Sequence, residues 1–386
     1  MLLKTDLPKK TVLLFSTVLM VHSVCTADDP MGSTSSKNDI PDEIAPYFSP
    51  PPEFAGDYGD YDSPLQFRDG SCVKTPEEWQ ARRKEILEYW HGVMGPWPPL
   101  LEKPRIDRLE QKTRDGFTQY LVRIDIAPND QTTDGYLLIP TGDGPFPAVI
   151  VPYYDAETGA GLGKELRDFG YQLTKRGFVS LSIGSPGGSA REPDTGDAQC
   201  QPLSFHAYMA ANCHRALARL PEVDADRIGI VGHSYGGKWA MFASCLYDEF
   251  ACAAWSDPGI VFDETRPNVN YWDRWYLGKV PGTEREPGMP TEKNPRTGAY
   301  KRIIEQGHDL HELHALMCPR PFLVSGGAED RPPRWKALNH SIAVNRLLGF
   351  THRVAMSNRD GHAPTPESNE IIYRFFEHFL KNPRNR

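Results

Sequence analysis

Gly232-His233-Ser234-Tyr235-Gly236 is the segment whose residue types and spacing could most directly do chemistry. It follows a short apolar run, Ile228–Val231, and precedes a helix-patterned stretch. In that setting a serine on a tight strand-to-helix turn acts as a nucleophile. Glycines on either side let strand and helix approach closely, and a strained backbone at the serine throws its hydroxyl outward. The amide of Tyr235, opening the helix, would then face the oxyanion that forms on attack. The chemistry implied is acyl transfer.

A serine hydroxyl is a weak nucleophile without a base. Of the 12 histidines, His362 sits in a short turn, Asn358–Ala363, after the last strand pattern and before the last helix pattern. His352 falls inside a strand pattern and reads as structural. The base in turn needs a carboxylate to orient it. Asp330, in Gly326–Pro332, is favoured, with Asp257 and Glu329 as its rivals. Asp330 and Asp257 both follow predicted strands and keep the chain order Ser…Asp…His. A second oxyanion donor is expected from the loop Pro152–Asp155, as the backbone N–H of Tyr153 or of Tyr154.

Several elements must position these groups. Short apolar runs at 146–151, 178–183, 228–231, 250–254, 322–324 and 351–356 read as strands. Helix patterns lie between or after them at 162–176, 204–220, 236–246, 333–348 and 367–381. Such alternation specifies an α/β fold with a mostly parallel central sheet and helices on both faces. Residues 120–126 and 135–139 read as antiparallel strands at its edge. Thr75-Pro76-Glu77-Glu78 opens an earlier helix by a capping box with proline at its first position. Residues 258–306 interrupt the rhythm with Trp, Tyr, Pro and charged residues, and read as a small cap insertion. Tyr271, Trp272, Trp275 and Tyr276 within it offer a carbohydrate platform, Trp272 and Trp275 foremost.

The 386 residues carry 51 acidic and 43 basic side chains, a net charge of −8. No basic excess points to nucleic acid. Residues 1–27 read as an export signal: Lys4, Lys9 and Lys10, then the apolar run Thr11–Val24, then small residues up to Ala27. That run is shorter than the roughly 18–20 residues that span a bilayer. A secreted or periplasmic chain without stable membrane insertion is therefore expected. Residues 28–70, rich in Pro, Gly, Ser, Asp and Tyr, read as a linker or loosely draped arm, and residues 71–386 as the catalytic domain. Cys72, Cys200, Cys213, Cys245, Cys252 and Cys318 would remain after cleavage, as auxiliary disulfide staples. His308, His311 and His314 share helical spacing but lack the partners of a zinc set, so no metal is expected.

Gly232-x-Ser234-x-x-Gly237-Lys238 resembles the G-x-S-R-x-G-K signature of glucuronoyl esterases, which cleave esters between glucuronate and lignin alcohols. Val223–Arg227 and Leu310–Pro321 are similar too. Pro319-Arg320-Pro321 through Asp330 resembles the corresponding stretch of acetyl xylan esterases and dienelactone-hydrolase-like proteins. The resemblance, over roughly residues 105–385, implies the α/β-hydrolase fold and a Ser-His-Asp triad. It also implies a sugar-contacting role for Lys238, one helical turn beyond Ser234. Tyr235 stands where those esterases carry arginine. The expected function is a serine carboxylic ester hydrolase acting on small-molecule or polysaccharide esters, acetyl or uronoyl, without a cofactor. A serine peptidase of the same fold and an inactive carbohydrate-binding protein are the rivals.

Overall fold

The computed structural model describes residues 40–382; the export segment and the start of the arm lie outside them. The strands are β1 (Ile106–Arg114), β2 (Phe117–Ala127), β3 (Gln131–Pro140), β4 (Phe146–Pro152), β5 (Val179–Ile183), β6 (Val223–His233), β7 (Cys252–Ser256), β8 (Phe322–Gly326) and β9 (Val354–Asn358). They form one sheet in the order β1-β2-β3-β5-β4-β6-β7-β8-β9. β1, β2, β3 and β5 pair antiparallel, and every pair from β5 onward is parallel. The helices are α1 (Pro76–Met94), α2 (Ala156–Gly159), α3 (Phe169–Lys175), α4 (Pro202–Leu217), α5 (Tyr235–Leu246), α6 (Gly298–Glu305), α7 (Leu310–Ala315), α8 (Trp335–Leu347) and α9 (Pro366–Lys381).

The parallel strands are apolar on both faces because both faces are covered. Alternate residues of β4 show the division. Ala148 and Ile150 join the core beneath α1, α4, α5 and α8, whereas Val149 and Val151 join the one beneath α3 and α9. Thr75 caps α1 with the expected reciprocal bonds to Glu78. No apolar sequence pattern marks β1: its nine residues, IDRLEQKTR, are exposed or half-buried throughout, so this edge strand lacks the alternation that would reveal it. The helix expected over 162–176 is shorter, at α3. Residues 40–70, read as a loose arm, are docked. Phe48 is buried against Phe375, Phe379 and His352, and Asn339 donates to the carbonyls of Phe54 and Asp57.

Candidate active site

Ser234 lies between β6 and α5 with φ 55° and ψ −111°, in the left-handed half of backbone space that costs a non-glycine residue energy. Its neighbours make the bend possible. A Cβ on Gly232 would sit 2.2 Å from the Gly236 carbonyl oxygen, and one on Gly236 would sit 2.0 Å from that of Pro152. The Ser234 amide donates to the Ser256 carbonyl at the end of β7 (2.9 Å). The serine is thus held from below while its hydroxyl points away from the sheet.

That hydroxyl is 2.9 Å from Nε2 of His362. Nδ1 of the same ring is 2.7 Å from Oδ2 of Asp257. Asp257, not the favoured Asp330, therefore meets the imidazole. Asp257 is fully buried, and its carboxylate accepts backbone N–H bonds from Gly327 (2.7 Å), Asp330 (2.9 Å) and Glu329 (3.1 Å). Asp330 faces the opposite way: its two oxygens accept the amides of Gly259 (2.8 Å) and Ile260 (2.6 Å). Burial, followed by the neighbouring Asp257 charge, pushes its pKa up to about 7. The loops after β7 and β8 thus clamp each other, each carboxylate held by the other's backbone. Glu329 takes the amide of Asn268 (3.0 Å). Its carboxylate, Asp257 and His362 place ligand atoms within 4.8 Å of one another. Nδ1 of His362 and both Asp257 oxygens are already engaged, so this cluster orients a histidine rather than caging a cation.

Sequence reasoning missed Arg359. Its guanidinium donates to the carbonyls of His362 (2.7 Å), Ala363 (2.8 Å) and Ser325 (2.8 Å), and to Oγ of Ser256 (3.3 Å). The histidine turn is thereby pinned to the ends of β7 and β8. Ser256 also meets Nδ1 of His233 (3.1 Å), whose ring lies 4.7 Å from that of His362. Burial, reinforced by the nearby His362 and Arg359, lowers the His233 pKa well below its ordinary value. His362 rests on a neutral ring.

The oxyanion side differs from expectation. The Tyr153 amide donates to the Ile183 carbonyl (3.0 Å), extending the β4–β5 ladder, and is not free for an oxyanion. Tyr154 is 40% exposed, and its phenol lies on the Ser234 side of the loop, near that hydroxyl. Its ring stacks on Tyr235 at 4.7 Å. The buried phenol of Tyr235 bonds Ser185 and His206, each at 3.0 Å, which leaves its backbone amide as the contribution of that residue at the helix start.

Lys238 is buried. Its ammonium donates to the Asn268 carbonyl (2.9 Å) and lies over the rings of Tyr271 and Tyr276. Burial lowers its pKa to about 8, against the pull of Asp330, Glu329, Asp257 and Asp273. Trp272 and Trp275 do not present an open sugar platform. Trp272 is 1% exposed and Trp275 8%; the first packs on Tyr300, the second on Tyr276 and Arg191. Of the six cysteines expected as disulfide staples, Cys72 is disulfide-bonded, whereas Cys200, Cys213, Cys245, Cys252 and Cys318 are free and buried. The three helical histidines diverge: His308 meets Glu312, His311 meets the Asp62 carbonyl, and His314 packs on Trp255.

The sequence profile of the prolyl oligopeptidase family matches residues 167–385, more than half of the chain. The chain belongs to the prolyl oligopeptidase family. This family's α/β-hydrolase fold is the one built above, and the chain is a serine hydrolase. Solved structures with this architecture include a glucuronoyl esterase from Solibacter usitatus, at 18% identity and a TM-score of 0.64, covering 83% of this chain and 97% of that one. A promiscuous family 15 carbohydrate esterase from a marine bacterial metagenome follows, at 15% identity and 0.63, covering 83% and 97%. A glucuronoyl esterase from Caldicellulosiruptor kristjansonii aligns at 18% and 0.58, covering 84% and 92%. Among curated proteins, a "Probable 2-oxo-3-(5-oxofuran-2-ylidene)propanoate lactonase" of Bradyrhizobium sp is 31% identical over 130 residues. That match spans 31% of this prolyl oligopeptidase family chain and 50% of the lactonase.

Proposed function

We propose that the chain is a carboxylic ester hydrolase in which Ser234 attacks, His362 carries the proton and Asp257 orients and charge-stabilises the imidazole. The observation that carries this reading is the continuous relay from the Ser234 hydroxyl to His362 (2.9 Å) and on to Asp257 (2.7 Å). His362 takes the serine proton as Oγ bonds to the ester carbonyl carbon. The oxyanion is received by the Tyr235 amide and by the phenol of Tyr154, whose ring stacks on Tyr235 beside the nucleophile. The alcohol departs with the proton from His362, and water then releases the acid by the same route reversed. Carbohydrate-linked esters are the proposed substrates, supported by the signature shared with glucuronoyl esterases. Export is part of the reading, supported by the basic start and apolar run of residues 1–27. No helix among the described residues is long and apolar enough to cross a membrane.

Ser234→Ala is expected to lower kcat toward a chromogenic acetate ester by about 10⁴–10⁶ while the thermal unfolding midpoint holds; unchanged turnover would remove Ser234 from the mechanism. Family membership favours one second reading, amide hydrolysis. Parallel assays on acetyl esters, uronate esters and dipeptide amides separate the two.

A further inference from the structure

We propose that the cleft running from Tyr154 across β2 and β3 is a glycan subsite holding an uncharged oligosaccharide, the chain that bears the scissile ester. The inference rests on the esterase reading above. The cleft encloses about 530 Å³ and is lined in part by Tyr154 and Ser185. Tyr154 stacks on Tyr235, the residue after Ser234, and Ser185 accepts the Tyr235 phenol, so one wall of the cleft is also a wall of the catalytic site. Leu121 and Tyr136, paired across β2 and β3, line it, and both also border a second hollow of about 310 Å³ reaching Gln119. From Arg123 to Gln119 the strand runs on the order of 13 Å, enough for more than one pyranose ring.

The lining chemistry selects the occupant. Tyr154 has one ring face on Tyr235 and the Lys164 ammonium 5.8 Å from its ring centroid; its exposed portion, 40% of the residue, can pack against the apolar face of a sugar. Asp134, Asp155 and Glu157 supply carboxylate oxygens for sugar hydroxyls. Arg123 is the cation of the larger cavity, and its guanidinium is already paired with Asp134 at 2.9 and 3.3 Å. Asp155 holds the amide of Thr158 (2.7 Å), and Glu157 lies near the Tyr136 phenol. The larger cavity therefore carries three carboxylates against one paired cation, which disfavours a uronate or phosphate there, whereas Lys112 and Arg114 line the second hollow beside Glu110. Another cavity, within the 258–306 segment and lined by Arg296 and Lys301, has a lining free of Ser234, His362 and Tyr154 and offers no route to the ester.

The test is calorimetric binding to the full chain carrying Ser234→Ala, with xylohexaose, cellohexaose and a glucuronate-substituted xylohexaose as probes. A neutral hexasaccharide should bind, the uronate-bearing one more weakly at low salt. Tyr154→Ala should lower neutral affinity by about three- to tenfold, and Glu157→Gln, at an exposed site, should narrow the gap between neutral and charged probes. Absence of neutral binding at millimolar concentration, or affinities indifferent to both substitutions, would overturn the subsite. Wild-type turnover of a chromogenic acetate ester is read separately. Its absence would end the esterase reading, whereas its presence without oligosaccharide binding would end the subsite alone.

Discussion

The loops at the carboxyl ends of β6, β7 and β9 and the segment 258–306, read from the sequence as a cap, are both dense in groups that could act on a substrate, yet they spend them differently. At the strand ends, polar side chains are held by the backbone of neighbouring loops: Asp257 by amides of residues 327–330, and the His362 turn by Arg359. In the cap, Trp272, Tyr271 and Tyr276 are turned inward and nearly inaccessible, and Lys238 is sealed beneath them against Asn268. Residue type alone marks both regions as active. Which direction each backbone faces decides that only the first can meet a substrate atom.

The sharpest way to break this comparison is to exchange the two aspartates. Asp257→Asn should lower kcat by about 10⁴, because the imidazole loses its tautomer control and its counter-charge. Asp330→Asn should instead cost roughly 1–3 kcal/mol of stability, read by urea unfolding, with a kcat loss of at most about tenfold. Equal kinetic losses would mean that both carboxylates serve the histidine.

Tyr154→Phe comes next, with kcat expected to fall by about 10²–10³ and KM to move little, as for removal of one oxyanion donor. An unchanged kcat would assign the oxyanion to backbone amides alone. Arg359→Ala, which leaves the triad side chains in place but frees their turn, is expected to cost roughly 10²-fold in kcat. Added guanidinium ion should restore part of it; a loss of folding without rescue would make Arg359 structural only. On turnover the smallest effect belongs to the cap. Trp272→Ala should cost about 3–5 kcal/mol of stability while the folded fraction keeps its kcat for a small ester. A large kcat loss at full folding would bring the cap aromatics into the site.

The same contrast explains what was legible in the sequence. Apolar runs and capping signals located β4–β9 and most helices because buried parallel strands have little choice of residue. Ser234 and His362 were marked by glycine spacing and by their place after strands. The acid was not, since Asp257 and Asp330 both follow strands. The loop after β8 turns its amides toward Asp257 and the Asp330 carboxylate toward the amides of Gly259 and Ile260, and side-chain periodicity carries no record of that. Tyr153 and Tyr154 pose the same difficulty, since one extra ladder bond consumes the first and leaves the second at the nucleophile. β1 escaped because a polar edge strand has no buried face, and the cap aromatics misled because their burial is a tertiary property.

The most direct test of the account is mass spectrometry of the intact protein after reaction with a fluorophosphonate, followed by peptide mapping. The account predicts one covalent adduct per chain, on Ser234. A protein that stays unlabelled under conditions where it is folded, or an adduct on another residue, would contradict it.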